Sequence, residues 1–483
     1  MGRPGRSAPG ERPAPASERP APDGGREYRP DRGQDPRPPL TRRRALAGLG
    51  GAVATVGGLG AAGAVTTGCA APSGVAEGRT RLRYWHLFGG GDGVTMTGMV
   101  DAFAAAHPDI GLEAAQLQWG SPYYTKLGMA GAGGRAPEVA VSHLARLAGF
   151  APGRLLDPFD LDLLSGHGVR ADRFPPEIWR RGRFNGRQYA IPLDTHPMVL
   201  YYNTDVCARA GLLGDDGGLR PIAGSAQFTA ALRAAKKATG VPALTTETLG
   251  PDAATPWRLF ATLYAQTGGA VLSADGKRLA LDDTRALRAL DYMAMLTDEG
   301  LMARRTDYAG AIGVFNDGKT AFHLNGEWEV TTFTLSGLPF SMTRVPALLG
   351  SAAAQADCHS FVLPHQQDRS GAGNEAAHTF VAWMVKHSVD WARGGHVPAY
   401  LPTLDDPAYL RLTPQSAYRS VINDVALDQP AWFAGSASLM WIELGAVFSG
   451  VLTGSRTPRD ALREAKARLR KLLDTPDPLG GAV

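Results

Sequence analysis

From Arg81 onward the chain alternates between strand-like and helix-like apolar patterns, and this rhythm limits the folds open to it. Arg81–Phe88 (RLRYWHLF) reads as a strand that runs into the glycine turn Gly89–Gly93. Met96, Met99, Val100 and Phe103 fall at i, i+3, i+4 and i+7, an amphipathic helix stopped before His107-Pro108. Ile110–Leu117 reads as the second strand, and 121–134 as a helix closing in Gly131-Ala132-Gly133-Gly134. Pro137–Ser142 is a buried strand, followed by a helix over 143–151. Strand, helix, strand and helix at this spacing argue for an α/β protein with a parallel sheet covered by helices.

Further on, Tyr189–Asn203 (YAIPLDTHPMVLYYN) is one long extended segment. Asp205–Ala210, Ser225–Thr239 and Pro256–Thr267 follow as helices, and Leu287, Leu290, Ala294 and Met295 mark another that stops near Gly300. Phe322–Glu329 and Ser360–Leu363 are strand-like. Thr457-Pro458-Arg459-Asp460 has the shape of a capping box with proline at the first helical position. Leu462, Ala465, Leu469, Leu472 and Leu473 make the helix after it the clearest in the chain. With 483 residues, 44% of them hydrophobic, there is material for a large core and two or three domains.

The front of the chain is of another kind. Residues 1–40 are rich in Pro, Gly and Arg, cannot build a core, and read as a disordered arm. Residues 41–68 read as a signal peptide: Thr41-Arg42-Arg43-Arg44 leads an uncharged Ala/Gly-rich run, and the paired arginines resemble a twin-arginine signal. Gly68-Cys69 ends that run as a lipobox does, which makes Cys69 the candidate lipidation site and 69–80 a tether. An uncleaved membrane anchor is the other reading of the run. Both put the folded part outside the cytoplasmic membrane. The first 44 residues hold eleven Arg against six acids, so the overall charge of +4 belongs to this arm. The rest of the chain is close to neutral and offers no electrostatic footprint for nucleic acid. Cys207 and Cys358 lack metal spacing; in an exported chain they are open to a disulfide or to two buried thiols.

One stretch matches a nucleotide-binding pattern. Gly313 to Thr320, GVFNDGKT, satisfies G-x-x-x-x-G-K-[ST]. A working P-loop follows a strand, is lined by small residues and opens a helix at its Lys-Thr. Here Val314 and Phe315 are bulky, Asp317 would repel a phosphate, the segment before is helix-like and the segment after is strand-like. Lys319 is therefore expected on a surface turn. Gly131-x-Gly133-x-x-Ala136 fits a relaxed dinucleotide fingerprint but follows a helix, with no acid at a strand end about 20 residues on. The turn Gly89–Gly93 does follow a strand and open a helix, so its amides can face a ligand. No serine sits in a G-x-S-x-G elbow. His86, His143, His196, His323 and His359 show no fixed metal spacing. A carboxyl pair for glycoside cleavage could be drawn from Asp194 with Glu327 or Glu329, as in any chain of this size.

Five stretches carry a family resemblance: RYWHLFGGGDG at 83–93, APEVAVSHLARLAGFAPGRLLDPFD at 136–160, FNGRQYAIPLDTHPMVLYYNTDVCARAGL at 184–212, FNDGKTAFHLNGEWEV at 315–330, and DCHSFVLP at 357–364. In this order they resemble the extracellular solute-binding proteins of sugar-type ABC importers, the maltose-binding-like class. The resemblance implies a periplasmic-binding-protein-like fold of two α/β lobes with hinge strands and a cleft. Lobe one would be 80–200 with 331–367, and lobe two 201–330 with 368–483. Crossings would lie near Leu200–Asn203, Glu329–Phe333 and Gln366–Asn374. It also implies a monomeric, lipid-anchored binding protein without enzymatic activity or cofactor, whose partners are membrane permease subunits and a cytoplasmic ATPase. Sugar rings need aromatic faces for their C–H side and planar polar groups for their hydroxyls. The candidate platforms are Trp85, Tyr123, Tyr124, Trp257, Trp328 and Trp441. The candidate hydroxyl partners are His86, Asp92, Asp194, His196, Asn325, Glu327 and His359, with backbone N–H from Gly90 and Gly91. The alternatives are a secreted glycoside-cleaving enzyme, or a receptor of the same architecture for a metal, a peptide or a glycerophosphate.

Overall fold

The computed structural model describes residues 78–250 and 254–478. Cys69 and the arm before it lie outside the described residues. Strand β1 (Thr80–His86) is flanked in parallel by β2 (Ile110–Gln116) and β3 (Val139–His143), as the alternation requires. The crossover helix between β1 and β2, Gly90–Ala106, buries Met96, Met99 and Phe103 against the sheet. It begins earlier than the apolar pattern suggests, because Gly90 and Gly91 form its first turn. Short β4 (Leu156–Asp157) lies at the sheet's edge. A small hairpin follows, β5 (Arg183–Phe184) with β6 (Arg187–Gln188).

The long extended segment is two strands in two sheets. β7 (Ala190–Pro192) belongs to the first sheet and β8 (Asp194–Asn203) to a second one. All ten residues of β8 are buried. It pairs antiparallel with β10 (Phe322–Gly326), β11 (Phe340–Arg344) and β12 (Ala354–Asp357). Beyond β10 lies β9 (Leu244–Thr245). β13 (His359–Pro364) returns to the first sheet, antiparallel to β3, β4 and β7. β14 (Val397–Pro398) pairs with β8, and β15 (Val425–Leu427) with β12.

Each sheet has its own apolar core. Leu82, Phe103, Val141, Phe361 and Phe380 belong to the first; Leu200, Phe260, Leu290, Phe448 and Leu469 belong to the second. These memberships correct the expected division. β11 and β12, placed by sequence with lobe one, extend the second sheet. The helix Gly371–Lys386, placed with lobe two, packs Phe380 and Val381 into the first core. The chain passes between the sheets at Leu193, at Cys358 and between Trp391 and Val397. The first two passages continue between strands, so no break in pattern announces them, whereas the third follows the end of helix Ser388–Ala392 through a turn at Gly395 (φ 110).

Two other expectations meet the structure directly. Helix Tyr308–Asn316 ends before Gly318 (φ 71), Lys319 is exposed, and β10 follows. GVFNDGKT is thus a helix end, a turn and a strand entry, with Phe315 buried against Tyr201, His323 and Phe333. The last helix, Pro458–Asp474, is capped by the Thr457 hydroxyl accepting from the Asp460 amide (3.2 Å), and it buries Leu462, Ala465, Leu469 and Leu472. Cys207 and Cys358 are both free and buried. Among the described residues no helix is long and apolar enough to cross a membrane.

Candidate functional site

A cavity of about 560 Å³ opens between the two sheets, within the usual size of a small-molecule site. The carboxyl ends of three parallel strands feed one wall: Phe88–Asp92 follow β1, Trp119 follows β2, and His143 closes β3. Crevices at the carboxyl ends of parallel strands are where open α/β sheets hold ligands. His359 of β13 and His196 of β8 complete that wall. The facing wall comes from the second half: Glu247, Thr255, Arg258, Tyr308, Trp328, Glu329 and Thr332.

The histidine wall is held from behind. Asp194 is fully buried and accepts from His196 Nδ1 (3.1 Å), His359 Nδ1 (2.7 Å), the His359 amide (2.8 Å) and Trp391 Nε1 (2.6 Å). A carboxylate can only accept, so Nδ1 of both imidazoles carries the proton and Nε2 offers a lone pair. His196 and His359 stack with ring centroids 4.1 Å apart, and His196 Nε2 has no protein partner. His143 has the other tautomer. Its backbone N–H donates to the Tyr124 hydroxyl (3.2 Å), which in turn donates to His143 Nδ1, so Nε2 carries the proton. Burial lowers the pKa of His143 and His196 well below the usual range, and both imidazoles are neutral.

Below this wall lies a charged knot. His396 Nε2 sits 3.0 Å from Asp92 Oδ1. Its Nδ1 lies 3.0 Å from Glu327 Oε1 and 3.3 Å from Asp194 Oδ2, within ion-pair range but outside hydrogen-bonding geometry. Burial alone would depress His396, but Asp92 and Asp194 hold it well above its normal range. Burial alone would raise Asp194, yet its neighbours His359 and His396 and the hydrogen bonds from His196 and His359 keep it well below. Glu327 is pushed up to about 7 by burial, with His396 pulling the other way. Ligand atoms of Asp194, His196, His359 and His396 all lie within 4.8 Å of one another. A divalent cation there would have to take Asp194 from an indole, an amide and two imidazoles, so the carboxylate acts as an orienting group.

The facing wall is aromatic. Tyr308 Oη donates to Glu329 Oε1 (2.5 Å) and accepts from Trp328 Nε1 (2.6 Å) and Asn325 Nδ2 (3.2 Å). Thr332 Oγ1 donates to Glu329 Oε2 (2.9 Å). The Arg258 guanidinium carbon is 4.8 Å from the ring centroids of both Trp328 and Trp441.

Six expected residues therefore line the cavity: Gly90, Gly91, Asp92, His196, Trp328 and His359. Others stand behind it. Asp194, Tyr124 and Asn325 hold lining side chains, and Trp441 covers one face of Arg258 while donating to Asp428 (2.5 Å). Glu327 meets His396, not the cavity, which separates the Asp194–Glu327 pair considered for glycoside cleavage from the ligand space. Four expectations are corrected outright. Trp85 lies half-buried beneath Lys126 beside a separate surface hollow. His86 is buried by the rings of Tyr84 and Phe88, and burial lowers it to about 4. Tyr123 donates to Val141 O (2.5 Å) in the first core, and Trp257 packs against Phe448 in the second. Trp85 and His86 lie within β1, on opposite faces and before the cavity at its carboxyl end, and helix phase turns Tyr123 and Trp257 into the cores.

Sequence reasoning did not select Trp119, His143, Glu247, Thr255, Arg258, Tyr308, Glu329 or Thr332. Two signals were present. Trp119 and His143 follow strands at the productive sheet edge, and Arg258 is the sole charge in the apolar helix Ala254–Gln266.

Fold and cleft together define a two-lobed solute-binding protein. Residues 98–406 match the family described as bacterial extracellular solute-binding protein, and the chain belongs to that family. Membership places the folded part outside the cytoplasm, and the relatives are binding proteins rather than enzymes. The chain is similar to the arabinooligosaccharide-binding protein of Bacillus subtilis (strain 168), 28% identical over 241 residues. That match covers 49% of this chain and spans about half, 52%, of the relative. The fold is also that of the cyclic alpha-maltosyl-1,6-maltose binding protein from Arthrobacter globiformis (TM-score 0.66, 22% identity, 82% of this chain and 99% of the other). The GacH receptor of Streptomyces glaucescens GLA.O shares it too (TM-score 0.68, 19% identity, 82% and 100%).

Proposed function

We propose that this chain captures a carbohydrate in the cleft and presents it to the permease subunits of an ABC importer. The observation that carries this reading is the composition of the cavity. Trp119 and Trp328 supply aromatic surface for the C–H side of a sugar ring. His196 and His359 supply acceptors in fixed tautomers for hydroxyls, and His143 and the amides of Gly90 and Gly91 supply donors. A sugar touching both walls would favour the closed arrangement by the difference in contacts it makes there. Lipidation of Cys69 would hold the monomer at the outer face of the membrane, near its permease. Mass spectrometry of the N-terminal peptide checks the anchor, and an unmodified Cys69 rules it out.

The main test is thermal unfolding of the purified chain against a panel of mono- and oligosaccharides, polyols and glycerophosphodiesters. At a ligand concentration a hundred times Kd, one sugar should add about 2.7 kcal/mol of stability and raise Tm accordingly. A panel without any shift defeats the carbohydrate reading.

A further inference from the structure

Arg258 is a buried cation in the cavity wall, with one of its nitrogens left without a partner. It is only 4% exposed and lines the cavity. Both faces of its guanidinium are covered by Trp328 and Trp441, so only its edge is free to bind. Nη1 has no hydrogen-bond partner, and among the described residues no carboxylate lies within 4.0 Å of the group. The nearby acids make no direct ion pair with it. Asp357 Oδ1 accepts from the amides of Ala145 (3.1 Å) and Cys358 (2.9 Å). Asp428 accepts from Trp441 Nε1 and the Gly435 amide (3.2 Å). Burial raises Asp357, and pushes Asp428 and Glu327 up to about 7. A buried cation with a free edge and no direct ion-pair partner is incomplete until something binds it.

The same cavity receives the N-terminal end of the 17-residue helix Gly90–Ala106. Its N-cap, Gly89, has no side chain to occupy the first amides. That end carries partial positive charge, and His143 adds an Nε2–H donor. Asp92, Glu247 and Glu329, with His196 and His359 Nε2, are acceptors suited to hydroxyls on the same ligand.

Resting on the carbohydrate reading above, we infer that the ligand is an acidic saccharide, whose oxyanion docks on the edge of Arg258 while its hydroxyls meet the histidine wall. A uronate carboxylate and a sugar phosphate ester share this chemistry, since both present paired oxygens to a guanidinium fork.

Isothermal titration of the purified chain with matched ligands tests it. The probes are glucuronate, galacturonate and their short oligomers, glucose 1-phosphate, and the neutral sugar corresponding to each. At least one acid should bind ten-fold or more tightly than its neutral counterpart, and the carboxylate and phosphate arms tell which oxyanion is meant. In Arg258→Gln that preference, read as the ratio of acid to neutral affinity, should vanish. If this variant does not fold, the wild-type acid-to-neutral ratio still decides. Neutral sugars binding as well as their acids, or an unchanged preference in Arg258→Gln, would overturn the inference while leaving carbohydrate binding standing. Failure of every sugar, acidic and neutral alike, would overturn both.

Discussion

The two walls of the cleft are built on opposite principles. On the first, every imidazole that faces the cavity has its Nδ1 engaged from behind, by Asp194 or Tyr124, so ring orientation and tautomer are set before a ligand arrives. On the second, Arg258 is held by ring faces alone and makes no hydrogen bond at Nη1. A preorganised wall reads ligand shape at little further cost, because its groups have already lost their freedom. Arg258 on the second wall keeps part of its interaction in reserve for the bound state. Closure in response to ligand requires such an asymmetry, since only contacts absent from the empty form can shift the balance.

Removing the anchor of the first wall should have the largest effect. Asp194→Asn places an amide donor where two imidazoles, an indole and a backbone amide all donate. The loss should be about 3–5 kcal/mol, as when one partner of a buried ionic network is removed. Urea denaturation of the variant measures it. A loss below about 1 kcal/mol would show that the wall does not depend on Asp194 for its order.

The next test contrasts the held histidines with two that are not held. His86 in the first core has an unpartnered Nδ1, and His323, among Tyr201, Phe315 and Phe333, has neither ring nitrogen partnered. Burial lowers them to about 4 and about 3. The unfolded chain takes up each proton near pH 6.5, whereas the native state refuses it until pH 4 or below. The native state is therefore undamaged above pH 6.5 and loses stability as pH falls below it, at about 1.4 kcal/mol per pH unit for each group. Between pH 6.5 and 4, His323 should account for about 3 kcal/mol of the loss. His323→Phe, set among Tyr201, Phe315 and Phe333, should flatten the acid limb by that amount in Tm measured against pH. An acid limb of unchanged slope would show that His323 is solvated or protonated in the fold.

How much of this was readable from sequence differs between fold and site. The β-α-β-α run from Arg81 to Phe150 was legible because its periods are clean and its turns are marked by glycine. The passages between lobes were not, because Leu193 and Cys358 continue an extended, buried pattern while changing sheets. In the site, Gly90 and Gly91 were legible from their place after a strand. Trp257 and Arg258 show the limit: they are neighbours about 100° apart on one helix, and a bias toward aromatics picks the one that faces the core. The pair Glu327–Trp328 divides in the same way, one residue lining the cavity and its neighbour standing behind it. Which member faces the ligand depends on phase relative to the other lobe, and no local pattern encodes that.

The smallest effect, and the finest test of the contrast, is expected from Tyr124→Phe. The hydroxyl accepts from the His143 amide and donates to His143 Nδ1, so its loss leaves one buried donor and one acceptor unpaired. The ring remains, with its packing against Phe150 and Arg146, so the cost should be about 1–2 kcal/mol in urea denaturation. The informative readout is the tautomer. With the hydroxyl present, His143 should be protonated at Nε2 alone, and nitrogen NMR of the ring should show one pyrrole-type and one pyridine-type signal in fixed assignment. Without it the imidazole is free to carry its proton on either nitrogen, and the two signals should move toward each other while those of His196 and His359 stay in place. Equal movement at all three would mean that the wall is one coupled network; movement at His143 alone would mean that each imidazole is set by its own partner.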